Sequence, residues 1–447
     1  MDFKTFKIED FLNKSFKCNC NKVHRTSIEE ILIGENVTLE LPKLINKYGY
    51  KNILIVSDSN TYKVLGETVE KILKDSQISC TSYVFEETNQ LVPDEQAVGR
   101  LLTNIDDNID LMITVGSGTL NDLSKFVSYK IHIPYFIVAT APSMDGYAST
   151  VSPLIVNNLK TTYEVNSPKA IIADINIIKK APMEMITAGL GDILGKYTCL
   201  CDWKISSIIN DEYYCESVVD LVKESIHRCV KDIEGIKNRD TIAIKNLTEG
   251  LILSGIAMSF VGNSRPASGA EHHLSHYWEM MFLFQGKEAV LHGTKVGIAT
   301  LIIAKLYEML TNTNLDFDKA LKHAEEFDYN DWVKNIKQKY KHAANDVIKL
   351  EQKTNKNSKE EHKIRIQKIN QNWDEIIDTI KDIIPPTEEL KAMLIKVGAP
   401  ITPNQVEVDS TTVSDSIKIA KELRARYTVL QFLWDVGLLE EFSISTF

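Results

Sequence analysis

Between residues 52 and 174 short apolar runs alternate with longer stretches in which apolar side chains recur every three or four positions. NILIVSD (52–58), SYVFE (82–86), LMITVG (111–116), YFIVAT (135–140) and KAIIAD (169–174) are rich in β-branched and aromatic residues and short enough for strands. Residues 61–73, residues 94–104 (entered through Pro93 and Asp94) and the stretch from Thr119 have the helical period. Strands of this kind, separated by helices, predict a parallel sheet covered on both faces. Such sheets bind ligands at the carboxyl ends of their strands, and Asp58, Gly116 and Thr140 occupy those ends.

Beyond Thr140 the pattern changes. LIVNNLKTTYEV (154–165) reads as a hairpin turning at Asn157 and Asn158. From Met183 onward the strand signal is almost gone, and helices are predicted over 183–209, 213–236, 242–260, 269–284 and 293–310. The expected division is an α/β domain over 1–180 and an all-helical domain over 181–447, with the boundary before Pro182. Residues 349–372, dense in Lys, Glu, Gln and Asn, read as a solvated helix face or a mobile connector. No internal repeat is visible.

Length and composition narrow the class. A chain of 447 residues exceeds one ordinary core. With 44% hydrophobic and 25% charged residues it is globular in type. A net charge of −10 argues against a nucleic-acid or anionic-membrane surface. No apolar run reaches the roughly 18 residues that would span a bilayer, and the charged, amphipathic start of the chain has no secretory h-region. A cytoplasmic protein without membrane insertion is the expectation, with its seven cysteines reduced. Cys18, Cys20 and His24 offer three zinc-type donors, but no second pair stands nearby to complete a site, so they read as ordinary residues of an N-terminal arm.

The candidate chemistry lies in four segments. Four of the ten histidines, His272, His273, His276 and His292, fall in or just after SGAEHHLSHYWEM, in otherwise apolar surroundings where an unpaired imidazole is costly and a metal ligand is useful. His272 and His276 share a helix face, while His273 points about 100° away. AGLGDILGK frames Asp192 with Gly189, Gly191 and Gly195, three glycines in a helical context that each cost about 1 kcal/mol relative to alanine. They imply a close backbone approach, which plain helix packing would also explain. One carboxylate and two imidazoles suit a divalent metal with an open position. GSGTLND (116–122), between a strand and a helix, is placed to cradle a pyrophosphate, although Asn121 breaks the GxGxxG pattern. Asp58 suits a ribose or, equally, a helix cap. ATAPSMDGYAST (139–150) supplies Thr140, Ser143, Asp145 and Ser149 on a second loop, with Asp145 and Gly146 also a turn signal.

Taken in order, VSDSN (56–60), GSGTLND, TAPSMDGYAS, AGLGDILGK, SGAEHHLSH and LHG resemble the iron-containing alcohol dehydrogenase and dehydroquinate synthase superfamily. Within it, TAPSMDGYAS and SGAEHHLSHYWE resemble the sn-glycerol-1-phosphate dehydrogenases. The resemblance extends from about Cys18 to RARYTVLQFLWDVGLL (424–439), whose apolar part reads as core. It implies a dehydroquinate synthase-like fold, with a Rossmann-like parallel-sheet domain followed by an all-α domain and the site in the cleft. Carried over by residue, it implies metal ligands Asp192, His272 and His292. It implies NAD(P) contacts from Asp58, from Gly116, Ser117, Gly118, Thr119 and Leu120, from Thr140, Ala141, Pro142 and Ser143, and from Ser149. Substrate contacts would come from Asp145, Asp192 and His276. Ser117 stands where relatives usually have glycine, which a negative φ would tolerate. A homo-oligomer, a dimer or larger, is also implied.

The expected reaction is reversible hydride transfer between NAD(P)H and C2 of dihydroxyacetone phosphate, giving sn-glycerol 1-phosphate for glycerophospholipid synthesis. One divalent ion, Zn²⁺ or Ni²⁺ ahead of Fe²⁺, would polarise the carbonyl, and His276 would orient a hydroxyl or relay the proton. Lys196 and Lys295 are the candidate phosphate donors. Alternatives are a metal-dependent glycerol or polyol dehydrogenase, a lyase of the dehydroquinate synthase kind, and a catalytically silent relative. Asp58 at a ribose would favour NAD over NADP.

Overall fold

The computed structural model describes residues 7–86, 90–157 and 159–445. Asn158, half of the predicted hairpin turn, lies outside the described residues, as does the very start of the predicted N-terminal arm. The strands are β1 (Ser15–Lys17), β2 (Val23–Arg25), β3 (Glu30–Gly34), β4 (Asn52–Asp58), β5 (Ser79–Phe85), β6 (Leu111–Gly116), β7 (Tyr135–Ala139), β8 (Val151–Val156), β9 (Leu159–Glu164) and β10 (Ala170–Asp174). Six of them form one parallel sheet in the order β3-β10-β7-β6-β4-β5. Alternate residues of the central strands serve two cores. Ile53, Ile55, Ile113 and Val138 face one apolar cluster, while Leu54, Val56, Met112 and Ile137 face the other. Burial on both faces is why these strands lack polar alternation.

The strand order reverses between β4 and β6: β4 is followed outward by β5, whereas β6, β7 and β10 lie on its other side. The carboxyl ends of β4 and β6, Asp58 and Gly116, therefore flank the crevice where doubly wound sheets bind ligands. The hairpin β8–β9, found as predicted, leaves the sheet and reaches the Ala270–Gln285 helix, where Lys160 pairs with Glu279 at 2.7 Å. β3 was not foreseen. It is a short edge strand whose partner, β10, is contributed far along the chain.

From Met183 on the elements are helices, among them Met183–Asn210, Glu216–Val230, Thr241–Val261, Ala270–Gln285 and His292–Thr311. The Thr241–Val261 helix is long and apolar enough by composition to cross a bilayer, contrary to expectation, but 72% of that window is buried inside the protein. It is a core helix. The N-terminal part of the described chain also packs on the helical half: Phe11 and Phe16 meet Phe260 edge-on at 5.7 and 5.3 Å.

The charged stretch 349–372 is neither wholly solvated nor a loose connector. Most of it forms the Ala344–Thr354 and Lys359–Gln371 helices, which bury Glu351, His362 and Arg365. Arg365 grips Asp435 with two bonds of 2.7 Å, and Glu422 accepts from Asn357 and pairs with Lys356 and Lys421. Those two carboxylates clamp both ends of the segment that carries Arg424 and Arg426 into the cleft described below. Burial raises the pKa of the Asp435 carboxyl, but the Arg365 pair outweighs that and holds it below its ordinary value. Arg365→Ala should cost about 3–5 kcal/mol by stranding a buried charge, read as a lower melting temperature at neutral pH. A carboxyl whose pKa folding depresses adds stability above its unfolded value of about 4 and loses it as the pH falls further. The gap between wild type and variant should therefore narrow in acid.

Candidate active site

Two helices meet backbone to backbone at the centre of the molecule, and glycines allow it. A Cβ on Gly189 would overlap the carbonyl oxygen of Pro142; on Gly191, that of Gly293; and on Gly293, that of Ala188. The three glycines around Asp192 thus serve close packing, and that packing brings Asp192, in the Met183–Asn210 helix, beside His292, the first residue of the His292–Thr311 helix. His272, from the Ala270–Gln285 helix, completes the group. One donor atom from each of Asp192, His272 and His292 lies within 4.8 Å of the others.

The surrounding bonds aim these donors. Glu271 accepts from Nδ1 of His272 at 2.7 Å, so Nε2 of that ring carries the free lone pair and stands 3.8 Å from Asp192 Oδ1. Thr198 Oγ1 and the Gly269 amide hold the same glutamate. Burial raises the Glu271 pKa, but His272, Thr198 and the Gly269 amide together hold it below the usual range. Nδ1 of His292 is buried with no hydrogen-bond partner among the described residues. Burial, and then the neighbouring His272, hold His292 well below its ordinary pKa, so it is a neutral ring with a free lone pair.

Lys196 bridges Asp192 Oδ1 at 2.7 Å and Asp145 Oδ2 at 2.8 Å and also bonds Ala267 O. Burial opposes its charge, but the two aspartates raise its pKa above the ordinary lysine value. Burial, and then Asp145, push Asp192 up. Asp145, Asp192 and Glu271 therefore stand against one ammonium, a deficit that one dication cancels. The donor set, the fixed tautomer of His272, the unpartnered His292 nitrogen and this charge balance all fit a divalent metal.

The triad borders a cleft of about 890 Å³ between the strand-end loops and the helices. Of the residues expected to contact the dinucleotide, Ser117, Gly118, Thr119, Ser143 and Ser149 line it. Ser117 has φ −122°, the negative value a serine needs there. Gly116, Leu120, Thr140, Ala141 and Pro142 lie beneath this lining, buried. Asp58 lies outside it, its Oδ1 accepting from the amides of Asn60 and Thr61 as a helix cap. Asp145, His272, His276 and His292 line the cleft, with Asp192 fully buried behind them. The rings of His272, His276 and His292 stand 5.1 to 6.1 Å apart. Burial lowers His276 to about 3 despite Glu279 nearby, so it too is neutral.

Lys196, committed to three acceptors, is no free phosphate donor. Lys295 is buried at 3.4 Å from Glu279, and burial lowers it to about 8. Four other cations line the cleft: Lys287, Arg424, Arg426 and Lys160, the last of which pairs with Glu279. Arg424 touches Thr162 Oγ1 at 3.4 Å, and Arg426 bonds Ser268 O and Ser264 Oγ. Neither guanidinium has a carboxylate partner among the described residues. Sequence reasoning placed both in or beside an apolar core stretch. Two residues carried no expectation: Glu271, which orients His272, and Lys125, which bonds Gly146 O, Ser149 Oγ and Val151 O to shape the second loop. The SGAEHH motif carries Glu271 in plain view; a lone lysine or arginine carries no such signal.

Residues 32–182 match the iron-containing alcohol dehydrogenase family model. A glycerol-1-phosphate dehydrogenase [NAD(P)+] of Geobacillus thermodenitrificans is 32% identical across 97% of this chain and 99% of its own length. Another, from Halalkalibacterium halodurans, is 40% identical over 65% of this chain and 74% of its own. Among solved structures, glycerol dehydrogenase from Schizosaccharomyces pombe superposes with a TM-score of 0.60 at 15% identity, covering 94% of this chain and 91% of that one.

Proposed function

The chain belongs to the glycerol-1-phosphate dehydrogenase family, and from that premise we propose that it reduces dihydroxyacetone phosphate at C2 to sn-glycerol 1-phosphate with NAD(P)H and a divalent metal held by Asp192, His272 and His292. The observation that carries this reading is the convergence of those three donors within 4.8 Å at a cleft large enough for a dinucleotide and a triose. Bound there, a Zn²⁺ or Ni²⁺ ion supplies Lewis-acid polarisation of the carbonyl.

The remaining work falls to the chain. Ser117, Gly118 and Thr119, at the start of the Gly118–Ile131 helix, offer amides and the helix dipole to the pyrophosphate. Asp145 accepts from a triose hydroxyl; its carboxylate is oriented by Ser254 at 2.9 Å and Lys196 at 2.8 Å. His276, neutral and with Nδ1 3.7 Å from Glu279 Oε2, passes a proton between a substrate hydroxyl and water. Asp58 is engaged as a helix cap outside the cleft lining, so the donor is assigned only as NAD(P)H.

Arg424 and Arg426 bind the phosphate: two cleft-lining guanidiniums with only neutral partners form an anion receptor. A charge-assisted bond of this kind is worth about 1.5–3 kcal/mol, or about 10- to 100-fold in binding. Arg424→Ala should therefore raise KM for dihydroxyacetone phosphate by about that factor and leave the feeble turnover of dihydroxyacetone unchanged. The same pair of ketones tests the function itself. With NADH, oxidation should be strongly faster with the phosphate. Preference for the unphosphorylated ketone would instead establish a glycerol or polyol dehydrogenase, the activity named for the S. pombe structure.

A further inference from the structure

We propose that Cys18, Cys20, His24 and Cys215 form a second metal site, a structural Zn²⁺ centre that staples the N-terminal arm to the helical half. One donor atom from each of the four lies within 4.8 Å of the rest. Cys18 Sγ is 3.6 Å from Cys215 Sγ, and His24 Nε2 is 3.3 Å from Cys20 Sγ and 3.4 Å from Cys215 Sγ. In a tetrahedral zinc site, bonds of about 2.3 Å to sulfur and about 2.0 Å to nitrogen put neighbouring donors about 3.4–3.8 Å apart. Those three separations are within about 0.1 Å of that range, and the remaining pairs lie within 4.8 Å.

The supporting contacts are those of a metal site rather than of a chance cluster. Nδ1 of His24 bonds Phe260 O at 2.8 Å, which makes Nδ1 the donor and turns the Nε2 lone pair toward the sulfurs. Tyr213 Oη stands 3.1 Å from Cys20 Sγ, a hydroxyl placed to donate to a thiolate, and Cys18 Sγ lies 3.4 Å from Ser217 Oγ. Cys18 and Cys20 sit in the tight turn between β1 and β2, closed by Cys18 N to Lys22 O and by Asn21 in the left-handed conformation at φ 64°. Cys215 directly precedes the Glu216–Val230 helix. Three thiolates and an imidazole select zinc over harder ions, and on binding the three thiols release their protons to solvent. None of the four lines the catalytic cleft, so this centre stands or falls apart from the reaction.

Cobalt(II) is the probe. The full-length protein produced in cobalt-supplemented medium should show intense thiolate-to-cobalt charge-transfer absorption and the d–d bands of a tetrahedral ion. The active-site donors, having no sulfur, cannot supply the first of these. The charge-transfer bands should vanish in Cys20→Ser and Cys215→Ser and survive in His292→Ala. Should a cysteine variant fail to fold, the wild-type zinc protein decides: a mercurial titrated under native conditions should release about one zinc per three thiols modified. Wild type without thiolate bands, bands that persist in Cys215→Ser, thiols that react without releasing zinc, or a Cys18–Cys215 disulfide by mass spectrometry would each overturn the proposal.

Discussion

Replacing His292 by alanine is expected to lower kcat/KM for dihydroxyacetone phosphate by about a thousand-fold, on the order of 4 kcal/mol at the transition state. The fold should not register the change. Nδ1 of His292 makes no hydrogen bond among the described residues, the ring is half-buried, and its position is the first of a helix, where alanine is tolerated. The melting temperature should shift by the equivalent of less than about 1 kcal/mol. Added divalent cation should not restore the rate, because one of three ligands is gone. A variant that keeps near-normal turnover would remove His292 from the chemistry.

Gly293→Ala, one residue along, should behave differently. Its new Cβ would overlap Ala188 O and the carbon bonded to it, both backbone atoms of the facing helix. Backbone cannot turn aside as a side chain can, so the two helices must separate, at about 1–3 kcal/mol of stability. All three metal ligands remain, but the separation pulls His292 from Asp192. Metal affinity should fall, activity should fall with it, and excess divalent cation should recover much of the loss. The control is Gly99→Ala: nothing lies within 4 Å of its Cβ, and in the Glu95–Leu102 helix the change should be neutral or stabilising by about 0.4–1 kcal/mol. Melting curves and rates measured against metal concentration distinguish the three variants.

The contrast shows what the sequence can display. β4 and β6 were legible to the residue because burial on both faces makes each a nearly continuous apolar run. β3 was not, because only one of its five residues is fully buried. Asp192, His272 and His292 stood out because imidazoles and glycines are conspicuous in apolar helices, although only the fold reveals that the glycines act through helix contact. The residues that escaped notice are defined by partners distant in sequence. Arg365 and Glu351 look like solvated charges until Asp435 and Asn357 are beside them. Cys18, Cys20 and His24 look incomplete until Cys215, some 190 residues on, closes the group. Arg424 and Arg426 become candidates for the phosphate only once the fold places both in the lining of the cleft. Asp58 suits a ribose contact or a helix cap equally in sequence, and its bonds to the Asn60 and Thr61 amides are those of the cap.

The most direct test of the metal-dependent mechanism is anomalous scattering from crystals of enzyme whose activity has been verified before data collection. With data taken on either side of the zinc and nickel edges, the expected result is a peak bounded by Asp192 Oδ1, His272 Nε2 and the ring of His292. Active crystals with no anomalous density among those three side chains would contradict it.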